Sequence, residues 1–206
     1  MSRYTGPKAR HCRRFGVNIY GADKYDKILA KRDYPPGLHG KTQFSKKTEF
    51  RKQLEEKQKA RFMFGISEKQ FRNYYVKADK SSAITGDELL RLLEKRLDNV
   101  LYRSGFANTR AQARQMVSHG LALLNKTRVT IPSQQIKIGD KIEIRPQNLE
   151  SPLFAILKSG KKKINPARWL TVDPKNLTIE ILSLPEVDDL EKSIESHLIV
   201  EFYSKS

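Results

Sequence analysis

The spacing of apolar residues changes near Gly120, and this change constrains the fold more than any other feature of the sequence. From Thr48 up to Gly120, apolar side chains recur every three to four residues, which is the period of a helix. Beyond Gly120 they alternate with polar residues, as in Lys141–Arg145, where Lys, Ile, Glu, Ile and Arg follow one another. Helices followed by strands predict an α+β fold.

These patterns place the individual elements. Helices are predicted over residues 48–64 and 68–79, from Thr85 along a leucine-rich stripe to Gly105, and from Thr109 to Gly120. Strands are predicted at residues 121–124, 128–131, 141–145 and 177–181, with a short helix at 150–158 and a terminal helix at 188–203. We expect the terminal helix to return to the first helical region.

Residues 1–47 show neither period and are predicted to form an extended basic N-terminal arm. Five basic residues precede any acidic one, and Pro35-Pro36-Gly37 interrupts any regular element. Two interpretations stay open at this point. The segment is either an unstructured tail or an arm that becomes ordered on RNA through phosphate contacts.

The charge indicates a polyanionic partner. The 206 residues contain 40 Lys and Arg against 23 Asp and Glu, a formal net charge of +17. Residues 1–80 carry +13, residues 81–180 carry +8 and residues 181–206 carry −4. Nucleic acid is the first candidate and an anionic membrane the second. Since no apolar run approaches the roughly 18–20 residues of a membrane span, we expect a soluble intracellular protein with no membrane partner.

Motifs of catalysis and metal binding are missing from the sequence. It has no phosphate-binding Gly-Lys-Ser/Thr loop, no GxGxxG and no GxSxG, and its four histidines are scattered. Cys12 is the single cysteine, so an intramolecular disulfide is impossible. Zinc is not expected either, because a structural zinc ion needs four ligands. The sequence therefore predicts a binding protein with no cofactor and no small-molecule substrate, not an enzyme.

Residues 96–145 carry the strongest binding signal. Arg103, Arg110 and Arg114 lie on or beside two predicted helices, and Lys126 lies in the turn of the hairpin that follows. Guanidinium groups fork onto phosphate oxygens in a way that lysine cannot. A solvated helix face would explain two arginines alone, but the adjacent basic hairpin favours a nucleic-acid interface.

This segment resembles the alpha-L RNA-binding motif, the S-four type domain. The resemblance lies in the Leu-Asp-Asn-Val first helix, the Thr-Arg-x-x-Ala-Arg-Gln-x-Val second helix and the histidine before the hairpin. Pseudouridine synthases, tyrosyl-tRNA synthetases and a small heat-shock protein also carry the motif. Nearly the whole chain, however, is similar to the bacterial family of the fourth small-subunit ribosomal protein. The matching segments include Gly6-Pro7-Lys8, Pro36–Gly40, Gln70–Tyr75, Trp169-Leu170 and His197–Lys205.

The resemblance implies a structural, non-catalytic component of the small ribosomal subunit in the cytoplasm. Members of the family bind small-subunit ribosomal RNA directly and early in assembly. They border the messenger RNA entry channel beside proteins three and five, and the contact with protein five is linked to translational accuracy. The implied domains are the arm at 1–47, a helical domain of 48–95 with 186–206, and an inserted domain at 96–185 with its RNA-binding core at 96–158.

The charge pattern and the resemblance together assign candidate residues. RNA contact is predicted for Arg3, Lys8, Arg10, Arg13, Arg14, His39, Lys57, Lys59, Arg72, Arg103, Arg110, Arg114, His119, Asn125, Lys126 and Arg128. Lys41, Lys46 and Lys47 are predicted to line the messenger RNA entry channel. Glu195, Glu201 and Tyr203 are predicted to contact protein five.

The sequence departs from the family in two places. Many relatives hold a zinc ion with four N-terminal cysteines, which Cys12 alone cannot do, so we expect the arm to order on RNA without metal. The family's hairpin usually turns at Asn-Gly, whereas this one has Asn125-Lys126. A type I′ turn needs a positive φ at both residues, which costs a lysine about 1 kcal/mol. Either the turn type differs, or RNA contact by Lys126 compensates.

Two other functions are compatible with the motif. An RNA-modifying enzyme that uses it as a guide module would need a separate catalytic domain, and no remaining block is long enough. A free-standing binder of stalled ribosomal particles or of messenger RNA would be absent from mature small subunits.

Overall fold

A computed structural model describes residues 4–42, 46–158 and 165–205 of the chain. The chain divides into two compact units, one formed by Met1–Leu90 with Glu191–Ser206 and the other by Arg91–Leu190. In the part that is described, the first unit is helical, and the second combines helices with an antiparallel five-stranded sheet. The predicted α+β fold is confirmed. No helix among these residues is long and apolar enough to cross a membrane.

Residues 4–42, the described part of the predicted extended arm, are partly helical, which corrects the prediction for this part. They belong to the first compact unit and contain two helices, α1 (Ala9–Phe15) and α2 (Asp23–Lys31). Cys12 and Tyr25 are buried. The helices are seven and nine residues long, too short to display an apolar period in the sequence, so their order depends on packing against the rest of the unit.

The next two helices of the first unit lie where the sequence predicts them. They are α3 (Glu49–Phe64) and α4 (Glu68–Asp79). Thr48 and Ser67 cap them, because each side chain accepts a hydrogen bond from a backbone N–H in the first helical turn. Gly65 ends α3 at a φ of 63°, a left-handed conformation that glycine adopts without strain.

The C-terminal helix is shorter than predicted. The prediction covered 188–203, whereas the helix, here α9, spans Ser196–Ser204 and follows a single 3-10 turn at Val187–Asp189. Just before α9, the backbone N–H of Glu195 donates a hydrogen bond of 2.8 Å to the Glu56 carboxylate on α3, which fixes the chain in a non-helical course. Because α9 packs against α3, the predicted return of the final helix is confirmed.

The leucine-rich stripe forms two helices where one was predicted. They are α5 (Thr85–Glu94) and α6 (Leu97–Arg103). The break is at Arg96, whose backbone is extended, with φ −73° and ψ 139°, and forms a bridge to Gln135. Most leucines of the stripe are buried on both sides of the break. The period therefore identified the buried face correctly but not the interruption of the helix.

The second unit continues through α7 (Arg110–Ser118) into the sheet. The strands are β1 (Ala122–Leu124), β2 (Thr127–Arg128), β3 (Lys141–Ile144), β4 (Leu170–Asp173) and β5 (Thr178–Ile181), in the spatial order β2-β1-β3-β5-β4. The second strand is shorter than predicted, and β4 was not predicted. A short helix, α8 (Pro152–Lys158), occupies most of the predicted stretch at 150–158.

One face of the sheet packs against helices in a single apolar core. Opposite each other in the register are Ile142 and Ile179, and both side chains are fully buried. They pack in one cluster with Val100 of α6 and Val117 of α7, and with Trp169. The core holds α6, α7 and the β1–β2 hairpin in fixed positions, and the RNA contacts predicted for the second unit lie on or beside these elements.

Candidate nucleic-acid interface

A buried carboxylate lies at the centre of the arginines predicted to bind RNA. Glu94, the last residue of α5, has no exposed surface. Arg103 donates to both of its oxygens, at 2.9 and 2.6 Å, and a nitrogen of Arg110 lies 3.9 Å from one of them. Asn99 connects these groups: its amide nitrogen donates to Glu94, and its amide oxygen accepts from Nε of Arg110 at 2.8 Å. The protein itself thus fixes both guanidinium groups.

A second buried carboxylate, Asp98, extends the cluster. Arg96 forks onto it at 3.0 and 2.7 Å, and a nitrogen of Arg114 lies 3.6 Å away. The guanidinium group of Arg110 also lies over the ring of Tyr102, 4.5 Å from its centre. Four guanidinium groups therefore surround two carboxylates, which leaves a net charge of +2. Three of the four arginine side chains remain 13–23% exposed.

The hairpin beside this cluster presents a lysine from a left-handed turn. Asn125 and Lys126 have φ values of 49° and 66°, the positive signs that a type I′ turn requires. The alternative of a different turn type is therefore wrong. The Asn125 side chain donates to the Asp140 carboxylate at 2.8 Å and accepts from the backbone N–H of Lys141 at 2.9 Å. Asn125 thus fixes the turn, while Lys126 is exposed.

Arg128, on the second strand of the hairpin, lies close to the end of α7. A Cβ atom at Gly120 would come within 2.8 Å of a terminal nitrogen of its guanidinium group. Gly120 has a φ of 68°, a left-handed conformation that favours glycine, and a side chain at this position would displace the flexible end of Arg128. Both Arg128 and His119 are exposed.

In the first unit, His11 lies in an aromatic stack. Its ring centre is 3.8 Å from that of Phe62, and its Nδ1 is 2.7 Å from the hydroxyl of Tyr20. Burial lowers the pKa of His11, and the nearby charges of Arg14 and Arg61 lower it further. A neutral imidazole thus helps to hold α1 in place.

Arg13 forms contacts within the N-terminal segment. It donates hydrogen bonds of 3.1 Å to the carbonyl oxygens of Tyr34 and Pro35, and it lies over the Tyr34 ring together with Lys41. Arg3 lies outside the described residues. Among the predicted RNA contacts, the exposed ones are Arg10, Arg14, His39, Arg72, His119, Asn125, Lys126 and Arg128, and Lys8 is half-buried.

Lys57 and Lys59 also form internal contacts. The ammonium group of Lys57 is 2.8 Å from Glu68 and 4.4 Å from the ring centre of Phe202, and its side chain is only 7% exposed. Lys59 is 2.7 Å from Glu56 and 13% exposed. Their contact with RNA stays a prediction, and their burial argues against a direct one.

Two of the residues predicted to contact protein five likewise bind partners within the first unit. The hydroxyl of Tyr203 donates to Glu68 at 2.8 Å, and burial together with this carboxylate raises the pKa of Tyr203. Glu201 accepts a hydrogen bond of 2.7 Å from Gln53, although it is an exposed residue. Glu195 is exposed just before α9.

The predicted channel lysines all precede α3 in the chain. Lys41 and Lys46 are exposed. Lys47 is 2.6 Å from Glu55, and Arg51 is 3.1 Å from the same carboxylate. Burial opposes ionisation of Glu55, but the hydrogen bonds from Lys47 and Arg51 outweigh it and lower the pKa of that carboxyl.

Comparison with known proteins agrees with this geometry. The model for the ribosomal protein S4/S9 N-terminal domain matches residues 3–94, and the S4 domain model matches residues 95–142. The small ribosomal subunit protein uS4 of Borreliella burgdorferi (strain ZS7) is 44% identical over 209 residues, covering 100% of this chain and 99% of the relative. The chain belongs to the uS4 family. Its relatives of that name from Syntrophomonas wolfei and Mycobacteroides abscessus are 44% and 45% identical, with complete coverage of both chains.

Membership of the uS4 family settles the class of protein. The chain is a structural component of the small ribosomal subunit in the cytoplasm and not an enzyme. The resemblance to the ribosomal family and to the RNA-binding motif is therefore confirmed.

The family resemblance implies a zinc ion bound near the N-terminus of many relatives. The N-terminal residues of this chain do not fit such an ion. Cys12 is fully buried, and burial raises the pKa of its thiol, which disfavours the thiolate that zinc requires. His11 is stacked on Phe62 and bonded to Tyr20. Across the described residues, no group of three or more potential ligands is close enough to hold a metal ion.

The sequence reasoning missed Glu94, Asp98 and Asn99 as members of this S4-domain site. A signal for Glu94 was present: it lies four residues after Leu90 and three before Leu97, on the same apolar stripe. A carboxylate on a buried face is rarely found without a partner. The arginines nearby in the sequence were the natural candidates for that partner.

Proposed function

We propose that this chain binds small-subunit ribosomal RNA directly and early, as a constituent on which the subunit assembles. The observation that carries this proposal is the arginine cluster around Glu94 and Asp98, adjoined by the basic hairpin. Fixed guanidinium groups with a net positive charge suit the geometry of phosphate oxygens. The match to the S4 domain supports RNA as the polyanion.

A binding titration tests the RNA ligand. The purified protein is titrated against full-length small-subunit ribosomal RNA at several salt concentrations. We expect log K to fall linearly with log salt, because each phosphate contact contributes about 0.7–0.9 to the magnitude of the slope. Equal affinity for an unrelated RNA of the same length would contradict a specific ribosomal site.

Cosedimentation tests the place of the protein in the subunit. One copy on each mature small subunit, and presence on the earliest precursor particles, is the expected result. Absence from mature subunits would instead indicate a free-standing binder, and late entry would refute a role in starting assembly.

We also propose that the segment around Lys41 and Lys46 lines the messenger RNA entry channel. Both lysines are exposed, whereas Lys47 is paired with Glu55. Ribosomes carrying Lys41→Ala with Lys46→Ala should translate a messenger RNA with a stable hairpin more slowly, but not an unstructured one. The exposed pair Lys137→Ala with Lys175→Ala removes the same charge and serves as control. Equal rates in both double variants would argue against this location.

Contact with protein five is the third element of the proposal. The C-terminal residues 181–206 carry a net charge of −4, and Glu195 and Glu201 are exposed. Such a surface suits a basic protein neighbour. Glu195→Lys with Glu201→Lys should weaken crosslinking to protein five and raise misreading in a reporter. Unchanged crosslinking would remove this surface from the contact.

A further inference from the structure

We propose that Glu94 is a positioning residue for RNA binding, which acts through the arginines that surround it. This inference rests on the proposed RNA-binding function. Glu94 touches no surface that RNA could reach, since its side chain has no exposed area. Its effect on RNA must therefore pass through Arg103, Arg110 and the bridging Asn99.

The position of Glu94 is not explained by stability alone. A buried ion pair often contributes nothing to stability relative to a well-packed apolar pair, because both charges lose their hydration. Here the carboxylate sits on the apolar stripe of α5, where a leucine would match Leu90 and Leu93. A leucine, however, could not accept hydrogen bonds from two nitrogens of one guanidinium group, as Glu94 does from Arg103.

The cluster fixes the direction of each guanidinium group. The fork of Arg103 onto Glu94 sets the plane of that group, and Arg110 is fixed on one edge by Asn99 and on one face by Tyr102. Long side chains that are already ordered lose less rotamer entropy when they bind a ligand. The carboxylates also offset the mutual repulsion of neighbouring guanidinium groups.

A charge effect and a positioning effect predict opposite changes in RNA affinity for the substitution Glu94→Gln. Glu94→Gln makes the surface more positive by one unit, so an effect of charge alone would tighten RNA binding. Loss of positioning would weaken it, by about tenfold if two arginines become mobile. Glu180→Gln is the matched control, because this exposed glutamate of β5 undergoes the same chemical change away from the cluster.

A double-mutant cycle with Arg103→Gln separates positioning from general damage to the fold. If Glu94 acts through Arg103, the tenfold effect of Glu94→Gln should shrink to within about threefold in the Arg103→Gln background. A purely structural loss would instead give the same factor in both backgrounds. The combined variant replaces the ion pair by two neutral amides, so it leaves no unpaired buried carboxylate at this position.

The experiment measures binding of each variant to small-subunit ribosomal RNA at fixed salt, with cooperative melting as the check of folding. Weaker binding by Glu94→Gln, no loss for Glu180→Gln and the reduced effect in the cycle would support the proposal. Equal or tighter binding by Glu94→Gln, or the same loss in both backgrounds, would overturn it. If Glu94→Gln alone does not fold, the comparison of Arg103→Gln with the double variant decides: equal binding, or binding weaker by no more than about threefold, supports positioning, and tighter binding or a larger loss refutes it. Failure of the wild-type protein to bind this RNA would refute the proposed function instead.

Discussion

Replacing Lys126 by glycine should make the protein more stable while weakening its hold on RNA. Lys126 has a φ of 66°, and a left-handed conformation costs a residue with a side chain roughly 1–2 kcal/mol. Glycine relieves this strain but loses more backbone entropy on folding, which takes back part of the gain. We expect a net increase in the free energy of unfolding of about 1 kcal/mol. The lost ammonium group should reduce the magnitude of the salt slope by about one unit.

Urea denaturation gives a direct measure of the stability change. Trp169 is the only tryptophan and is buried in the core of the unit that carries the hairpin, so its fluorescence reports on that unit. In a thermal denaturation experiment, the same 1 kcal/mol should raise the melting temperature of a cooperative unit of about 100 residues by about 4–8 °C. RNA binding is measured on the same protein across a range of salt concentrations.

The matched control is Lys126→Ala, which removes the same charge but keeps the strained φ. The two variants should bind RNA equally weakly, and only the glycine variant should gain stability. If both have the same free energy of unfolding, the turn is not strained in the way that its φ values indicate. If both bind RNA as the wild type does, Lys126 does not contact RNA.

Three further predictions follow from the local contacts. Burial lowers the pKa of His11 in the folded protein, so its neutral form contributes stability. This contribution should be complete above about pH 6.5 and lost as the pH falls through the pKa of the folded state. His11→Phe should flatten this pH dependence when the free energy of unfolding is measured at pH 5.5 and 7.5. Gly120→Ala should destabilise the chain by about 1 kcal/mol and weaken RNA binding by displacing Arg128, whereas Gly139→Ala, also at positive φ but with open space, should only destabilise. The purified protein should contain no zinc, and a chelator should leave its melting temperature unchanged, because Cys12 is the single cysteine and the described residues form no group of three or more metal ligands; stoichiometric zinc in metal analysis would contradict this.

The sequence was most informative where one physical pattern dominated. The helical period located α3 and α4, and Thr109 marked a helix start that the structure reproduces. The change of period at Gly120 separated helices from strands. These features depend on local backbone preferences and on one buried face, both of which can be read from neighbouring residues.

Features that depend on distant partners escaped prediction. The break at Arg96 needs Gln135, thirty-nine positions away, and the late start of α9 needs Glu56 on another helix. Helix α1 packs through His11 against Phe62 on α3. No period in a short segment contains that information. The turn at Lys126 was the reverse case, because its strain was predicted from two neighbouring residues, while the sequence left open whether the turn type differs or RNA contact compensates.

The candidate site combines two kinds of cationic side chain, and the sequence alone does not distinguish them. Arg103, Arg110 and Arg114 are anchored to buried carboxylates, whereas Lys126 and Arg128 are exposed on a short hairpin. An exposed cation acts on RNA mainly through counterion release, so its loss should change the salt slope. An anchored guanidinium group acts mainly through geometry, so release of its anchor should change affinity at every salt concentration by a similar factor. Salt titration of hairpin and cluster variants side by side therefore distinguishes attraction of RNA from its orientation.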